Sequence, residues 1–250
     1  MSLFKSVFKS VFKSVFKRKD VNIFLTFAFL PVLVPLLSGF MEGMSSEYTG
    51  NFLSFLESAV STQYRFVLPI LLFSLVVSSV FKDEIDSGIM FLYKDINRKK
   101  IFNAKLLSLV VVYSIFLGLT IFTSLVSYYG FMLPKGEVSS NFIANQSSAT
   151  IKSLFTLIST INLNLITIAL VVMVSITSKT IKSVLAGVFF SLAASVSPML
   201  IGIQYLFPNG YIHFIQINWV LSYMAAVVLS IIYFVIFYVR GMHKFKNVEF

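Results

Sequence analysis

The sequence predicts an all-α integral membrane protein with six transmembrane helices, an N-terminal amphipathic interfacial helix and a short cytoplasmic helix between spans 2 and 3. Three observations predict this class. The composition is 57% hydrophobic and only 12% charged, with a mean hydropathy of +0.89, whereas soluble domains carry about 25% charged residues. Six apolar runs are long enough to cross a bilayer core, which takes about 20 residues. Lysine and arginine are concentrated in alternate connections between these runs.

The positions of the apolar runs define the predicted spans. One transmembrane domain, residues 21–250, follows the interfacial helix at residues 1–20. The second span has an alternative start, because segment 51–65 could instead form an outer amphipathic helix that leads into the membrane. Pro69 and Pro198 predict kinks in the second and fifth spans. The six spans are placed at 21–41, 60–81, 105–129, 153–177, 182–206 and 218–239.

The distribution of positive charge predicts the orientation. With the N-terminus inside, the inner segments hold 17 of the 20 Lys and Arg residues, and the outer segments hold only Arg65, Lys135 and Lys152. Because cytoplasmic loops carry an excess of these residues, both termini of this multi-pass protein are predicted to lie on the inner side of the cytoplasmic membrane. The net charge of +10 favours anionic lipid over nucleic acid as a partner in so apolar a chain. Abundant Lys, Ile, Asn and Phe indicate a Gram-positive bacterial host.

The N-terminal stretch FKSVFKSVFKSVFK, residues 4–17, repeats one tetrapeptide. At about 100° per residue, its Phe and Val side chains share one half of a helix, and its lysines form a basic flank. The apolar face is predicted to enter the acyl boundary and the lysines to lie near the head groups. The alternative is a disordered lysine-rich tail. The predicted interface residues are Phe4, Phe8, Phe12, Phe16, Lys5, Lys9 and Lys13.

Ionisable residues are nearly absent from the predicted spans. Apart from Arg65, Lys105 and Lys182 near their ends, the spans contain no Asp, Glu, Lys, Arg or His. Proton-coupled carriers, pumps and voltage sensors usually depend on such residues inside the membrane. The chain has no cysteine, and its two histidines, His213 and His243, fall on opposite predicted sides. We therefore predict no catalytic site, no metal site and no cofactor in this chain, which is not expected to be an enzyme.

Uncharged polar side chains do occur within the spans. Inside lipid such groups usually hydrogen-bond to neighbouring helices, and this structural role is the favoured interpretation. The alternative is that some of them line a substrate path or a seam between two membrane subunits. These residues are Asn162, Asn164, Ser195, Ser197 and Gln204.

The first inner loop, residues 82–104, has the most distinctive pattern. An acidic cluster begins it and a basic cluster ends it, and five apolar residues between them recur at helical spacing. These are Ile85, Ile89, Leu92, Tyr93 and Ile96. They predict a short amphipathic helix, which would either lie on the membrane surface or insert into a groove on a soluble partner.

The six spans, the interfacial helix and this loop together resemble the membrane subunit of an ABC-2-type exporter. The loop in that family reads as an acid, a Gly-Thr-like pair, apolar residues, a turn ending in Arg, and a Lys that opens the third span. The counterparts here are Glu84, Ser87-Gly88, Phe91-Leu92, Ile96-Asn97-Arg98 and Lys105. Ile89 replaces the threonine, and Asp95 and Asn97 replace the proline and serine that often precede the arginine. The resemblance covers the whole chain in architecture but only this loop as a motif.

The resemblance implies that the loop helix is a coupling helix that docks on a separate ATP-binding cassette ATPase. The residues implied for that contact are Glu84, Ile85, Gly88, Ile89, Leu92, Tyr93, Ile96 and Arg98. The chain has no G-x-x-x-x-G-K-[ST] motif, so ATP and Mg²⁺ would bind to the partner. The family also implies a second membrane subunit, identical or related. The cargo would be hydrophobic or amphipathic: a peptide toxin, bacteriocin, drug or lipid-like molecule, as for staphylococcal phenol-soluble-modulin exporters.

Two other functions remain open from the sequence. One is a non-transporting membrane scaffold or sensor subunit, whose loop helix recruits some other protein. The other is an ATP-independent channel or carrier, which the lack of charges within the spans disfavours. Co-purification with an ATPase would distinguish the permease from a scaffold or sensor subunit. Flux without an ATPase would indicate a channel or carrier.

Overall fold

The computed structural model describes residues 2–37, 50–89 and 96–248, and every regular element within these ranges is helical. The all-α prediction is therefore confirmed. The α-helices are α1 (Ser2–Phe16), α2 (Lys19–Thr26), α3 (Leu30–Leu37), α4 (Phe52–Arg65), α5 (Val67–Ser78), α6 (Glu84–Asp86), α7 (Arg98–Leu125), α8 (Ser147–Ser175), α9 (Thr180–Val196) and α10 (Trp219–Asn247). Short 3-10 helices cover Phe27–Phe29, Ser197–Met199, Ile203–Leu206 and Pro208–Phe214, and π-helical turns cover Ser79–Asp83 and Val126–Met132.

Three helices begin at an asparagine that caps them. The side chains of Asn51, Asn97 and Asn218 accept hydrogen bonds from backbone N–H groups in the first turns of α4, α7 and α10. A cap of this kind satisfies one of the donors that a helix start leaves without a partner. The helix starts are thus specified locally by the sequence.

Five stretches within the described ranges are long and apolar enough to cross a membrane, and a bent helix pair would make a sixth. The five are Lys19–Leu36, Arg98–Met132, Ser147–Ser175, Thr180–Met199 and Trp219–Asn247. The bent pair is Phe52–Arg65 with Val67–Asp86, which meet at 63°. Each predicted span thus has a helical counterpart, although several ends differ. This architecture fits a membrane protein.

Two predicted spans need correction. The second, 60–81, is not one straight helix, because the chain breaks at Phe66 and α4 forms a separate amphipathic helix, which was the alternative start. Pro69 explains the break, since it has no N–H to donate to the carbonyl four residues earlier. The fifth span was predicted to reach residue 206, but α9 ends at Val196 and a 3-10 helix with Pro198 in its first turn follows at Ser197–Met199.

The long helices alternate in direction, so the bundle has two ends. At one end, which we call the basic end, Ser78 Oγ lies 3.0 Å from Thr180 Oγ1, and Lys244 Nζ lies 3.3 Å from Thr177 Oγ1. At the opposite end, the far end, Tyr223 donates to the carbonyl of Ile151 at 2.8 Å. Among the described residues, the lysines and arginines other than Arg65, Lys135 and Lys152 belong to segments of the basic end.

Aromatic side chains make up much of the core. In the middle of the bundle the ring of Phe24 lies 4.6 Å from that of Phe73 and 4.5 Å from that of Phe116, joining α2, α5 and α7. Near the basic end, the Phe102 ring lies between those of Phe81 and Phe245, at 5.7 and 5.6 Å. Aromatic pairs at such distances stabilise beyond the area they bury. The second cluster fixes the end of α10 beside α7 and the turn that leads to the first inner loop.

Candidate functional site: a charge cluster at the basic end

The site is built around the carboxylate of Glu84, which contacts two cations from other helices. Its Oε1 accepts a hydrogen bond from Nη2 of Arg18 at 2.5 Å, and its Oε2 lies 2.8 Å from Nζ of Lys105. Arg18 precedes α2 and Lys105 lies in the second turn of α7. One carboxylate therefore joins the start of the first candidate span, the end of the bent second and the start of the third.

Lys105 is the most deeply buried member of this cluster, with 1% of its side chain exposed. Its ammonium also donates to the carbonyl oxygen of Val80 at 2.7 Å and lies 5.3 Å from the centre of the Phe81 ring. Val80 belongs to the π-helical turn formed by residues 79–83. Such turns change the backbone hydrogen-bond ladder and often occur at functional sites. The turn thus supplies one of the ligands that hold the lysine.

A second polar contact connects the same turn to α2. The hydroxyl of Ser79 donates to Oδ2 of Asp20 at 2.7 Å. Asp20 also accepts from the backbone N–H of Val21, at the start of the helix, where a negative charge is favoured. The Ser79–Asp20 contact and the Arg18–Glu84 contact together hold the start of α2 against the π-helical turn and against Glu84, which follows that turn.

Burial decides how strong this cluster is. The Glu84 side chain is 12% exposed and that of Arg18 is 24% exposed. Removing one partner of a buried ion pair costs about 3–5 kcal/mol, because the other charge is left without compensation. By contrast, the pair of Lys82 and Asp86, at 2.7 Å, has a carboxylate that is 60% exposed and belongs to the class worth about 0–1 kcal/mol. Glu84 is therefore the residue on which the rigidity of this site depends.

The residues predicted for the coupling helix do not form one helix. Gly88 has a φ of +71°, a conformation that ends the short helix α6, so the continuous face predicted from Ile85 to Ile96 is wrong at this point. Ile89 is exposed just after the turn, whereas Ile85 and Ile96 pack on the core. Leu92 and Tyr93 lie outside the described residues.

Two of the predicted contact residues have structural partners within the chain. Glu84 is held in the charge cluster. Arg98 donates to the carbonyl oxygens of Lys246 and Val248, at 2.5 and 2.7 Å, and so connects the start of α7 to the end of α10. The exposed turn at Gly88–Ile89 is therefore flanked by two fixed points, one on each side of the loop.

The N-terminal helix forms as predicted, but its two apolar columns have different surroundings. Val7, Val11 and Val15 are buried in the main core and α1 lies along α7, so this column contacts protein rather than lipid. Phe4, Phe8 and Phe12 are half-buried at the edge of that core and Phe16 is exposed; the ring of Phe12 lies 5.9 Å from that of Phe8 and 5.6 Å from that of Phe16. Lys5, Lys9 and Lys13 are exposed.

The polar residues predicted inside the spans have different environments. Asn164 lines a cavity within the bundle and donates to the carbonyl of Thr160 at 3.0 Å. Ser195 lines a second cavity near the far end, while Ser197 is fully buried and donates to the carbonyl of Ala194. Asn162 and Gln204 are half-exposed and line neither cavity.

A polar network that the sequence did not indicate holds α4 against the first candidate span. Gln63 donates to the carbonyl of Phe27 at 3.1 Å and accepts from Thr120 at 3.2 Å, and Thr123 donates to the carbonyl of Ala28 at 2.6 Å. Both carbonyls belong to the 3-10 turn between α2 and α3. The one signal in the sequence was an amide in the amphipathic segment 51–65.

No group of three or more His, Cys, Asp or Glu that could hold a metal ion occurs within the described ranges. In comparisons with protein-family models, curated proteins and solved structures, none matched this chain.

Proposed function

We propose that this chain is the permease subunit of an ATP-driven exporter of the ABC-2 type, energised by a separate ATPase that binds loop 82–104. The observation that carries the proposal is the charge cluster. Glu84, four residues before the exposed turn at Gly88, is held by Arg18 and Lys105 from two other helices. A push on the turn would therefore move three candidate spans together rather than bend a free loop.

In this proposal the ATPase acts on the exposed turn Gly88–Ile89 and on residues 90–95, which follow it in the loop. Arg98, bound to the end of α10, limits movement on the other side of the loop. ATP binding would shift the population of two arrangements of the spans, provided the ATPase binds them with different affinity. ATP and Mg²⁺ bind to the partner and not to this chain.

In this proposal the chain lies in the cytoplasmic membrane with the basic end and both termini inside, and its abundant Lys, Ile, Asn and Phe favour a Gram-positive bacterial host. The exposed lysines of α1 would face anionic head groups, and its phenylalanines would lie beside the acyl chains. Apolar side chains on the outer faces of α9 and α10 are widely exposed, for example Phe189, Leu221 and Met224. Such faces suit contact with lipid or with a second membrane subunit, and the cargo is a hydrophobic or amphipathic molecule.

The test is co-purification followed by an ATPase assay. The chain, solubilised from its native membrane, is expected to carry with it a nucleotide-binding subunit with ATPase activity. Ile89→Asp places a charge on the exposed turn and is expected to abolish this association. The matched control, Ser10→Asp, places the same charge on the exposed polar face of α1 and should leave it intact. Recovery of the chain without an ATPase would refute the permease and favour a scaffold or sensor. Flux in proteoliposomes without an ATPase would favour a channel or carrier.

A further inference from the structure

Two cavities lie inside the bundle on either side of one tyrosine. The far-end cavity, of about 110 Å³, lies between α4, α8, α9 and the 3-10 helix Pro208–Phe214. The inner cavity, of about 30 Å³, lies deeper, among α4, α5, α7 and α8. Tyr64 lines both. On the same measure of volume, a cavity needs roughly 10–15 Å³ to hold one water molecule. The far-end cavity therefore has room for several water molecules.

One buried polar atom in the wall of the far-end cavity, Oδ1 of Asn209, has no hydrogen-bond partner among the described residues. The amide nitrogen of Asn209 already donates to the carbonyl of Ala194 at 2.7 Å. Tyr64 is only 5% exposed, and its hydroxyl is directed to Thr167, which lines the inner cavity. A buried polar group without a partner costs about 1–3 kcal/mol, so Oδ1 of Asn209 points to a hydrogen-bond donor in the far-end cavity.

The other hydroxyls of the cavity wall define which occupant fits. Thr156, Thr160 and Ser195 donate to carbonyl oxygens four residues earlier in their own helices, at 3.1, 2.8 and 2.8 Å. Their protons are therefore used, and their oxygen lone pairs remain as acceptors. With Oδ1 of Asn209 this makes a wall rich in acceptors. The matching occupant donates several hydrogen bonds, as water can.

The cavity also extends far from the end of the bundle. Thr160 lies about 20 Å along α8 from Ser147, at 1.5 Å per residue, which is close to the middle of that helix. Arg65, the last residue of α4, also lines the cavity and is exposed.

We propose that the far-end cavity is a water-filled vestibule that enters the bundle from the far end, and that the side chain of Tyr64 is the barrier between it and the inner cavity. The vestibule binds water, or the O–H and N–H groups of a small neutral solute, through the acceptors of Thr156, Thr160, Ser195 and Asn209. Beyond the barrier, Asn164 and Thr167 line the inner cavity.

Silver ion tests the proposal, because it is small, needs water to reach a thiol and binds thiolates tightly. The chain has no cysteine, so single substitutions can be made in the natural sequence. Thr160→Cys and Ser195→Cys report the vestibule. Ile158→Cys and Leu192→Cys, at apolar exposed positions two or three residues away on the same helices, are matched controls. Each variant is reconstituted in vesicles and exposed to Ag⁺, and the thiols left free are counted with a fluorescent maleimide after denaturation.

The two vestibule thiols are expected to react at least tenfold faster than their controls. Equal rates at vestibule and control positions would mean that the cavity is dry, which overturns the proposal. The assay contains no ATPase, so its result is independent of the proposed function.

The barrier has its own test. With Tyr64 intact, the thiol of Asn164→Cys is expected to be protected from Ag⁺. It should remain protected in the double variant with Tyr64→Phe, which keeps the ring. In the double variant with Tyr64→Ala it should react at least tenfold faster. Reaction of Asn164→Cys with Tyr64 intact, or no gain in a folded Tyr64→Ala variant, would refute the barrier. If Tyr64→Ala does not fold, Tyr64→Leu, which removes the aromatic ring but keeps an apolar side chain, takes its place with the same expected gain.

Discussion

Replacing Glu84 with glutamine tests the charge cluster most directly, because it keeps the shape of the side chain and removes the charge that Arg18 and Lys105 share. At the 2.8 Å between Oε2 and the ammonium of Lys105, Coulomb attraction amounts to about 6 kcal/mol at an effective dielectric of about 20. Desolvation of the two ions offsets part of this. The expected net loss is about 3–5 kcal/mol in the free energy of unfolding, mostly through Lys105, since Arg18 is partly exposed and screened.

The assay is the apparent Tm of the detergent-purified protein, followed by size-exclusion of heated samples. For a chain of this length 1 kcal/mol corresponds to about 2–4 °C, so Glu84→Gln should lower the apparent Tm by roughly 10 °C. The control Asp86→Asn removes a carboxylate two positions away whose side chain is 60% exposed, and should shift it by less than about 2 °C.

A double variant separates charge from packing. Lys105→Met removes the buried cation and leaves an apolar chain against the Phe81 ring. In the Glu84→Gln background it should restore at least about 1 kcal/mol, because it eliminates an uncompensated charge. Two results would refute the reasoning: equal Tm losses for Glu84→Gln and Asp86→Asn, or a double variant whose loss is the sum of the two single losses.

Three further predictions concern packing. Gly187→Ala should lower the free energy of unfolding by about 1–3 kcal/mol, since an added Cβ would lie 2.5 Å from the hydroxyl oxygen of Ser74 in α5. The control for this Tm measurement is Gly118→Ala, which should be neutral or stabilising because the space around Gly118 is open. Gly210→Ala should prevent folding of the 203–214 segment, because its Cβ would lie 2.0 Å from a backbone carbonyl oxygen; wild-type resistance of that segment to proteolysis would contradict this. Val11→Asp should release α1 from α7, at a loss of roughly 1.5–3 kcal/mol of valine burial, and make the N-terminal lysines sensitive to trypsin, whereas Ser10→Asp should not. Equal trypsin rates in these two variants would show that the valine column does not hold the helix.

The sequence by itself was sufficient for the helical class and for most of the candidate spans. A helix satisfies its backbone hydrogen bonds within one segment, and a long apolar run therefore predicts a candidate span from local information. The same holds for the amphipathic form of α1. The asparagine caps at Asn51, Asn97 and Asn218 are equally local, but the structure revealed them. The acid at Glu84 and the lysine at Lys105 were expected from the resemblance, but only as positions in a motif.

Only the tertiary structure decided how these pieces meet. Arg18 and Glu84 are 66 positions apart, and no local period relates them. The valine column of α1 and its phenylalanine column are equally apolar, so only the presence of α7 determines which of the two is buried. The break at Phe66 has a local cause, the missing N–H of Pro69. The far-end cavity has no such local cause, because its wall comes from α4, α8, α9 and a 3-10 helix. Contacts between distant segments depend on how whole helices pack, and that packing is what created both the charge cluster and the far-end cavity.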